Sequence, residues 1–307
     1  MRFSPDRLSI TLAMGAAAAA AAIAAVPPAY DGGVGLRPTI WLSGTAAGVA
    51  AAASMLIALR RSGTPLWSRI VVAISAAALG PLAQEAATSP LRADLAFVAT
   101  AMAIGAAGSG RAGTAASTLP IVVAAFFDTT SLVLPIGFAW AALSELRSRG
   151  LGIVILAGGL AGWIAGTVAG GAGVLPGWAG PMALHAAHRD LRLLLPVVLV
   201  GLGGYANRDR QRPEQAWAGG AAAAGILVIL AAIAGLRFAV RIAVLPLWWW
   251  MAAGLAELAE LMRHRVDSGV LARRVAWATC VLACLLALRP LDRWAGGALL
   301  ILYLTGR

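Results

Sequence analysis

The feature that most constrains this chain is a succession of apolar stretches, many near 20 residues long, separated by short pieces carrying Arg, Pro or Gly. About 20 apolar residues is what a helix needs to cross the hydrocarbon core of a bilayer. No water is available there, so the backbone has to satisfy its own hydrogen bonds, which a helix does within one segment. The stretches fall at about 8–27, 39–59, 69–83, 93–109, 114–127 and 130–145, then at about 151–170, 191–206, 216–235, 242–262, 272–288 and 294–306. They predict an all-α, polytopic transmembrane helical bundle forming a single domain over 1–307. Several stretches are short for a perpendicular span, so tilt, re-entry or fusion sets the expectation at about 9 to 12 spans.

Composition excludes the other broad classes. The chain is 60% hydrophobic and 12% charged, with a mean hydropathy of +0.83, against roughly 25% charged residues in soluble domains. A soluble enzyme and a disordered tail are incompatible with that balance. Cys280 and Cys284 lie in one apolar run, so they read as small membrane hydrophobes and not as a secreted disulfide framework.

The net charge of +11 comes from 24 basic residues, all of them Arg, which punctuate the apolar runs instead of gathering on one face. That distribution argues for topology signals and against nucleic acid. With the N-terminus inside, sixteen Arg fall in cytoplasmic loops and eight outside (Arg37, Arg92, Arg189, Arg192, Arg237, Arg241, Arg289 and Arg293). This bias predicts both termini in the cytoplasm. It also predicts that 113–143 is two short helices broken at Asp128, because a single span would invert every later loop. The Ala-rich run after MRFSPDR resembles a signal peptide but extends to about 20 residues, and is expected to stay as the first span.

Gly158, Gly162, Gly166 and Gly170 recur every four residues, which lays a flat stripe along one helix. Lipid supplies no hydrophobic force between helices, so close backbone approach has to drive their packing, here an expected contact within the chain with a dimer seam as the alternative. Trp41, Trp67, Trp178, Trp217 and Trp294 fall near expected span ends, the usual place for interfacial indoles. Trp248, Trp249 and Trp250 point several ways from one span and read as packing.

Charge in or beside a span is costly and invites a functional reading. The outer side collects Asp31, Glu85, Asp94, Asp128, Asp190 and Asp292. Glu85 and Asp128 stand at tight turns with little solvated loop around them. Glu85 or Asp94 pairing with Arg92, and Asp128 capping a helix that starts at Thr129 or Thr130, are the structural alternatives. The inner acids, such as Glu257 and Glu260, read as solvated helix ends and intrahelical pairs, Glu260 with His264 for example. His185 and His188 with Asp190 are a weak zinc pattern with no evident third ligand. Signatures for nucleotide hydrolysis, zinc proteolysis and serine-hydrolase chemistry are absent from the sequence. WLSGT at Trp41 to Thr45 has no later His partner in an apolar helix. No DxxxD pair is present to hold magnesium diphosphate. No metal or cofactor is expected.

The order of features resembles the GT-C superfamily of polytopic glycosyltransferases that use lipid-linked sugars. YDGGVGLRP stands where that family has an acidic first outer loop. GTPLWSRIVVA is similar to its basic inner loop, AQEAATSPLRADL to its outer turn with acid and Arg, and AAFFDTTSLVLP to its paired short spans. LRFAVRIAVLPLWWW is similar to its late Arg-aromatic span entry. The first outer loop is short, about eleven residues, and no stretch of these residues is expected to form a soluble outer domain. The resemblance implies a sugar transferred from a polyprenyl-phosphate donor on the outer face of a bacterial inner membrane. Asp31 would be the catalytic base and Arg237 with Arg241 would hold the donor phosphate, while Glu85, Arg92, Asp94 and Asp128 form a candidate polar site. The chemistry itself needs a base for the acceptor hydroxyl and cations for the departing phosphate. A secondary transporter or flippase, and a non-catalytic scaffold subunit, are the competing expectations. The partners expected are membrane lipid and the lipid-linked sugar, with no nucleic acid; a homo-oligomer or a place in a larger membrane complex stays open.

Overall fold

The computed structural model of the chain describes residues 14–15, 17–19, 21–22, 38–59, 73, 76–77, 90–144, 148–170, 213–234, 236 and 240–264. These residues are all-helical in character. The helices are α1 (Pro38–Ala58), α2 (Pro90–Ala107), α3 (Arg111–Ala116), α4 (Thr118–Phe127), a one-turn 3-10 helix (Thr129–Leu132), α5 (Val133–Ser144), α6 (Arg149–Val168), α7 (Pro213–Ile233) and α8 (Val240–His264). Two are long and apolar enough to cross a membrane, over Arg149–Val168 and Glu214–Ala232. The expected spans near 191–206, 272–288 and 294–306, and most of those near 8–27 and 69–83, lie outside the described residues.

The expected break at Asp128 is present. The residue takes an extended conformation, with φ −150 and ψ 129, between the end of α4 and the 3-10 turn. Between α3 and α4, Ser117 keeps right-handed helical angles and the backbone hydrogen bonds Ser117 to Gly113 and Ile121 to Ser117 continue the helix, while its hydroxyl donates to the carbonyl of Thr114 at 2.6 Å. Between α2 and α3 the chain reverses through Gly110 at φ 101, a backbone conformation that costs glycine least.

Small residues set the register between helices. Along α6, a Cβ added to Gly162 would meet the backbone of Val122, one on Gly166 the backbone of Phe126, and one on Gly158 would lie 2.9 Å from the Thr118 methyl. Both series ascend together, so α4 and α6 are parallel. Gly152 faces Ala142 and Gly159 faces Pro135, a descending series that makes α5 antiparallel to α6. Gly105 faces Ser54 and Gly108 faces Ala58, so α1 and α2 are parallel. Gly137 approaches Gly220 and Ala221, and Gly225 approaches Ala243.

Neighbouring helices pack in the order α1, α2, α4, α6, α5, α7, α8, and α8 returns to α2. Among the described helices, six therefore close a ring, with α1 outside it. The 3-10 turn touches α2, α4, α5, α6 and α8 and lies within the ring. Aromatics fill the α5, α7, α8 side: the Phe138 ring stands edge-on to Trp217 at 5.4 Å and to Trp249 at 6.2 Å. Trp248, Trp249 and Trp250 are all buried, as expected of packing residues. Trp217, expected near a span end, stands one turn from the start of α7, is 3% exposed and packs edge-on against Phe138.

The described helices expose many large apolar side chains. Val168, Leu119 and Trp140 are the most exposed large apolar side chains, at 85%, 72% and 67%. Hydroxyls along the helices bond back to carbonyls one turn earlier, as Ser54 does to Ala50 at 2.9 Å and Thr167 to Trp163 at 2.9 Å. Such bonds keep hydroxyls satisfied where no water is near.

Candidate functional site

Three elements bring polar groups to one end of the ring. The α2 helix carries Arg92 and Asp94 in its first turns. Arg92 is exposed and its guanidinium Nη1 donates to the carbonyl of Gly170 at 2.6 Å, just past the end of α6. Gly170 has φ +67, a left-handed conformation that turns the chain out of the helix and presents that carbonyl. Asp94, two residues along α2, is 4% exposed. The carboxylate of Asp128 belongs to the same end, since Phe126 is level with Gly166 on the parallel α6.

The Asp128 turn is held on every side. Asp128 Oδ1 accepts from the backbone N–H of Thr130 at 2.6 Å, which caps the 3-10 turn as the sequence alternative anticipated. Thr129 Oγ1 accepts from the indole Nε1–H of Trp163 on α6 at 3.2 Å. Ser131 and Thr100 of α2 share a buried hydroxyl hydrogen bond of 3.3 Å. Thr130 and Ser131 are 2% and 1% exposed, so two hydroxyl side chains sit in the interior of the ring, a costly place for any polar group without partners.

Asp128 lies between helices and outside the apolar segments on either side of it. Burial pushes its carboxyl above the ordinary carboxylate range, while the side-chain and backbone hydrogen bonds from Thr130 pull it back. Burial is the larger effect. The result is a carboxylate with more affinity for a proton than one in water.

The other expected site residues are distributed differently. Asp31, Glu85 and Arg237 lie outside the described residues, as do His185, His188, Cys280 and Cys284. Arg241 is in the first turn of α8, and its side chain lies outside the described set. Arg92, Asp94 and Asp128 are thus the members of the expected polar site whose side chains are described. Among the described residues no three His, Cys, Asp or Glu side chains come together to hold a metal ion. Sequence reading missed Thr100, Ser131 and Trp163. The run Asp-Thr-Thr-Ser between two apolar helices was the available signal, because four consecutive polar side chains there need partners from other helices.

No family model, curated protein or solved structure matches the chain.

Proposed function

We propose that the chain is a multi-pass protein of a bacterial inner membrane, with about 9 to 12 spans and both termini cytoplasmic, that transfers a sugar from a polyprenyl-phosphate donor on the outer face. The observation supporting this reading best is the presence of a guanidinium and a proton-avid carboxylate at one end of the helix ring, Arg92 on α2 and Asp128 between α4 and α5. Sugar transfer needs those two kinds of group: a base that takes the acceptor proton and a cation near the departing phosphate. Asp128 has the chemistry of the base. Asp31, Arg237 and Arg241 keep the roles implied by the resemblance to GT-C enzymes, so Asp31 is the rival base.

Membranes carrying each variant, supplied with a polyprenyl-phosphate sugar, decide the assignment. Asp128→Asn keeps the shape and removes the base, and transfer is expected to fall about 10²-fold or more. Retained transfer in Asp128→Asn with loss in Asp31→Asn moves the base to Asp31. Absence of turnover by the wild type with a panel of such donors overturns the reading.

The buried hydroxyls of Thr130 and Ser131 favour a second reading, a secondary transporter or flippase. Irregular polar backbone surrounded by helices is how such proteins engage a substrate within a membrane. Movement of a labelled polyprenyl phosphate across proteoliposomes without sugar transfer distinguishes it.

A further inference from the structure

Three consecutive residues after Asp128 are each tied to a different part of the bundle. Thr129 is held by Trp163 of α6, Thr130 by Asp128 itself, and Ser131 by Thr100 of α2. Trp163 lies on α6 beside Gly162, whose approach to Val122 presses α6 against α4. Its indole, with a single donor and no acceptor, reaches across that contact to the residue adjoining the carboxylate.

From this arrangement we infer that Trp163 is a positioning residue for Asp128: its hydrogen bond to Thr129 pins the turn against α6 and keeps the carboxyl group in its half-buried seat. The inference rests on the reading of Asp128 as the reacting carboxylate, but its readout needs no turnover. Two hydrogen bonds flank the Thr130 bond, one from α6 and one from α2, the two neighbours of α4 in the ring, and together they resist an outward swing of the turn. Releasing the Trp163 clamp lets water reach the carboxyl group. Since burial raises its proton affinity more than the Thr130 hydrogen bonds lower it, hydration lowers that affinity.

The charged groups on the elements packed around the turn are Arg92 and Asp94 of α2, Arg149 at the far end of α6, and Arg241, Glu257, Glu260, Arg263 and His264 of α8. The helical ranges of α4 and α5 carry none. None of these groups is altered by the substitutions below.

Dicyclohexylcarbodiimide reacts with protonated carboxyl groups, so its labelling of Asp128, read by peptide mass spectrometry across a pH series, reports the protonation of that side chain. Trp163→Phe and Thr129→Val are expected to move the labelling midpoint to lower pH, with labelling at the wild-type midpoint down about threefold, in keeping with one lost hydrogen bond. Thr129→Ser retains the acceptor and is expected to keep the wild-type midpoint. A merely structural role for Trp163 would change the melting temperature and leave this profile in place. Should Trp163→Phe fail to fold, the Thr129 pair carries the test alone. An unchanged midpoint in Thr129→Val, a shift to higher pH, or an equal shift in Thr129→Ser overturns the inference. Loss of sugar transfer has no bearing on these outcomes.

Discussion

Asp128 does two jobs with one side chain, capping the 3-10 turn and holding a carboxyl group where burial favours its protonated form. The consequence for stability follows from proton linkage. Its folded-state proton affinity is raised, so the folded chain binds the proton more tightly than the unfolded chain. The stabilisation this gives is complete below the ordinary carboxylate range and is lost as pH rises through the raised value. Asp128→Asn supplies the same cap oxygen without a charge to desolvate. Melting curves in detergent are therefore expected to show the variant gaining on wild type as pH rises from acid to neutral, with no further gain at higher pH. A constant difference across the series would mean that the carboxyl group is well hydrated in the folded protein.

At the scale of elements, the glycine stripe of α6 is an interface with α4. Gly162 and Gly166 approach the backbones of Val122 and Phe126 too closely for a side chain, whereas Gly150 on the same helix has open space around it. Without a hydrophobic force between helices in lipid, that backbone proximity supplies the dispersion contacts that hold the pair. Gly166→Leu should separate α4 from α6, lowering the folded yield in detergent and destabilising the bundle by about 2 kcal/mol or more, as overpacking at a close contact does. Gly150→Ala should be harmless or stabilise by about 0.5 to 1 kcal/mol, the helix preference of Ala over Gly. Equal yield and melting temperature for both variants would show that the stripe does not bear on another helix. The spacing of four was legible in the sequence. That the stripe meets α4 in parallel, with α5 leaving the end of α4 to pack on the other side of α6, was not, because periodicity identifies a face and carries no information about its partner.

Across the whole molecule, the register of the helices assigns loops to two ends. Arg92 at the start of α2 and Gly170 beyond α6 share one end; the turn between α2 and α3, at Ser109 and Gly110, belongs to the other. With the proposed orientation, a membrane-impermeant thiol reagent applied to intact cells should label a Cys placed at Ala169 and spare one at Ser109, the native Cys280 and Cys284 having been replaced by Ala. The reverse pattern would invert the threading inferred from the Arg bias, and labelling at both positions would break it.

What the sequence determined by itself was the class of structure and its points of interruption. Apolar length dictates helices because a backbone removed from water has to bond within itself, and a charge such as Asp128 between two apolar segments marks where a helix stops. The same local logic foresaw the cap on the turn and the burial of the Trp248 to Trp250 run. Only the tertiary structure decided which segments became neighbours: that α8 closes back on α2, that Trp217 packs against Phe138, and that Trp163 and Thr100 grip the residues beyond Asp128. Those pairings join residues more than thirty positions apart. They depend on the fit of one small-residue face against another, which is a property of two surfaces together and is written in neither segment alone.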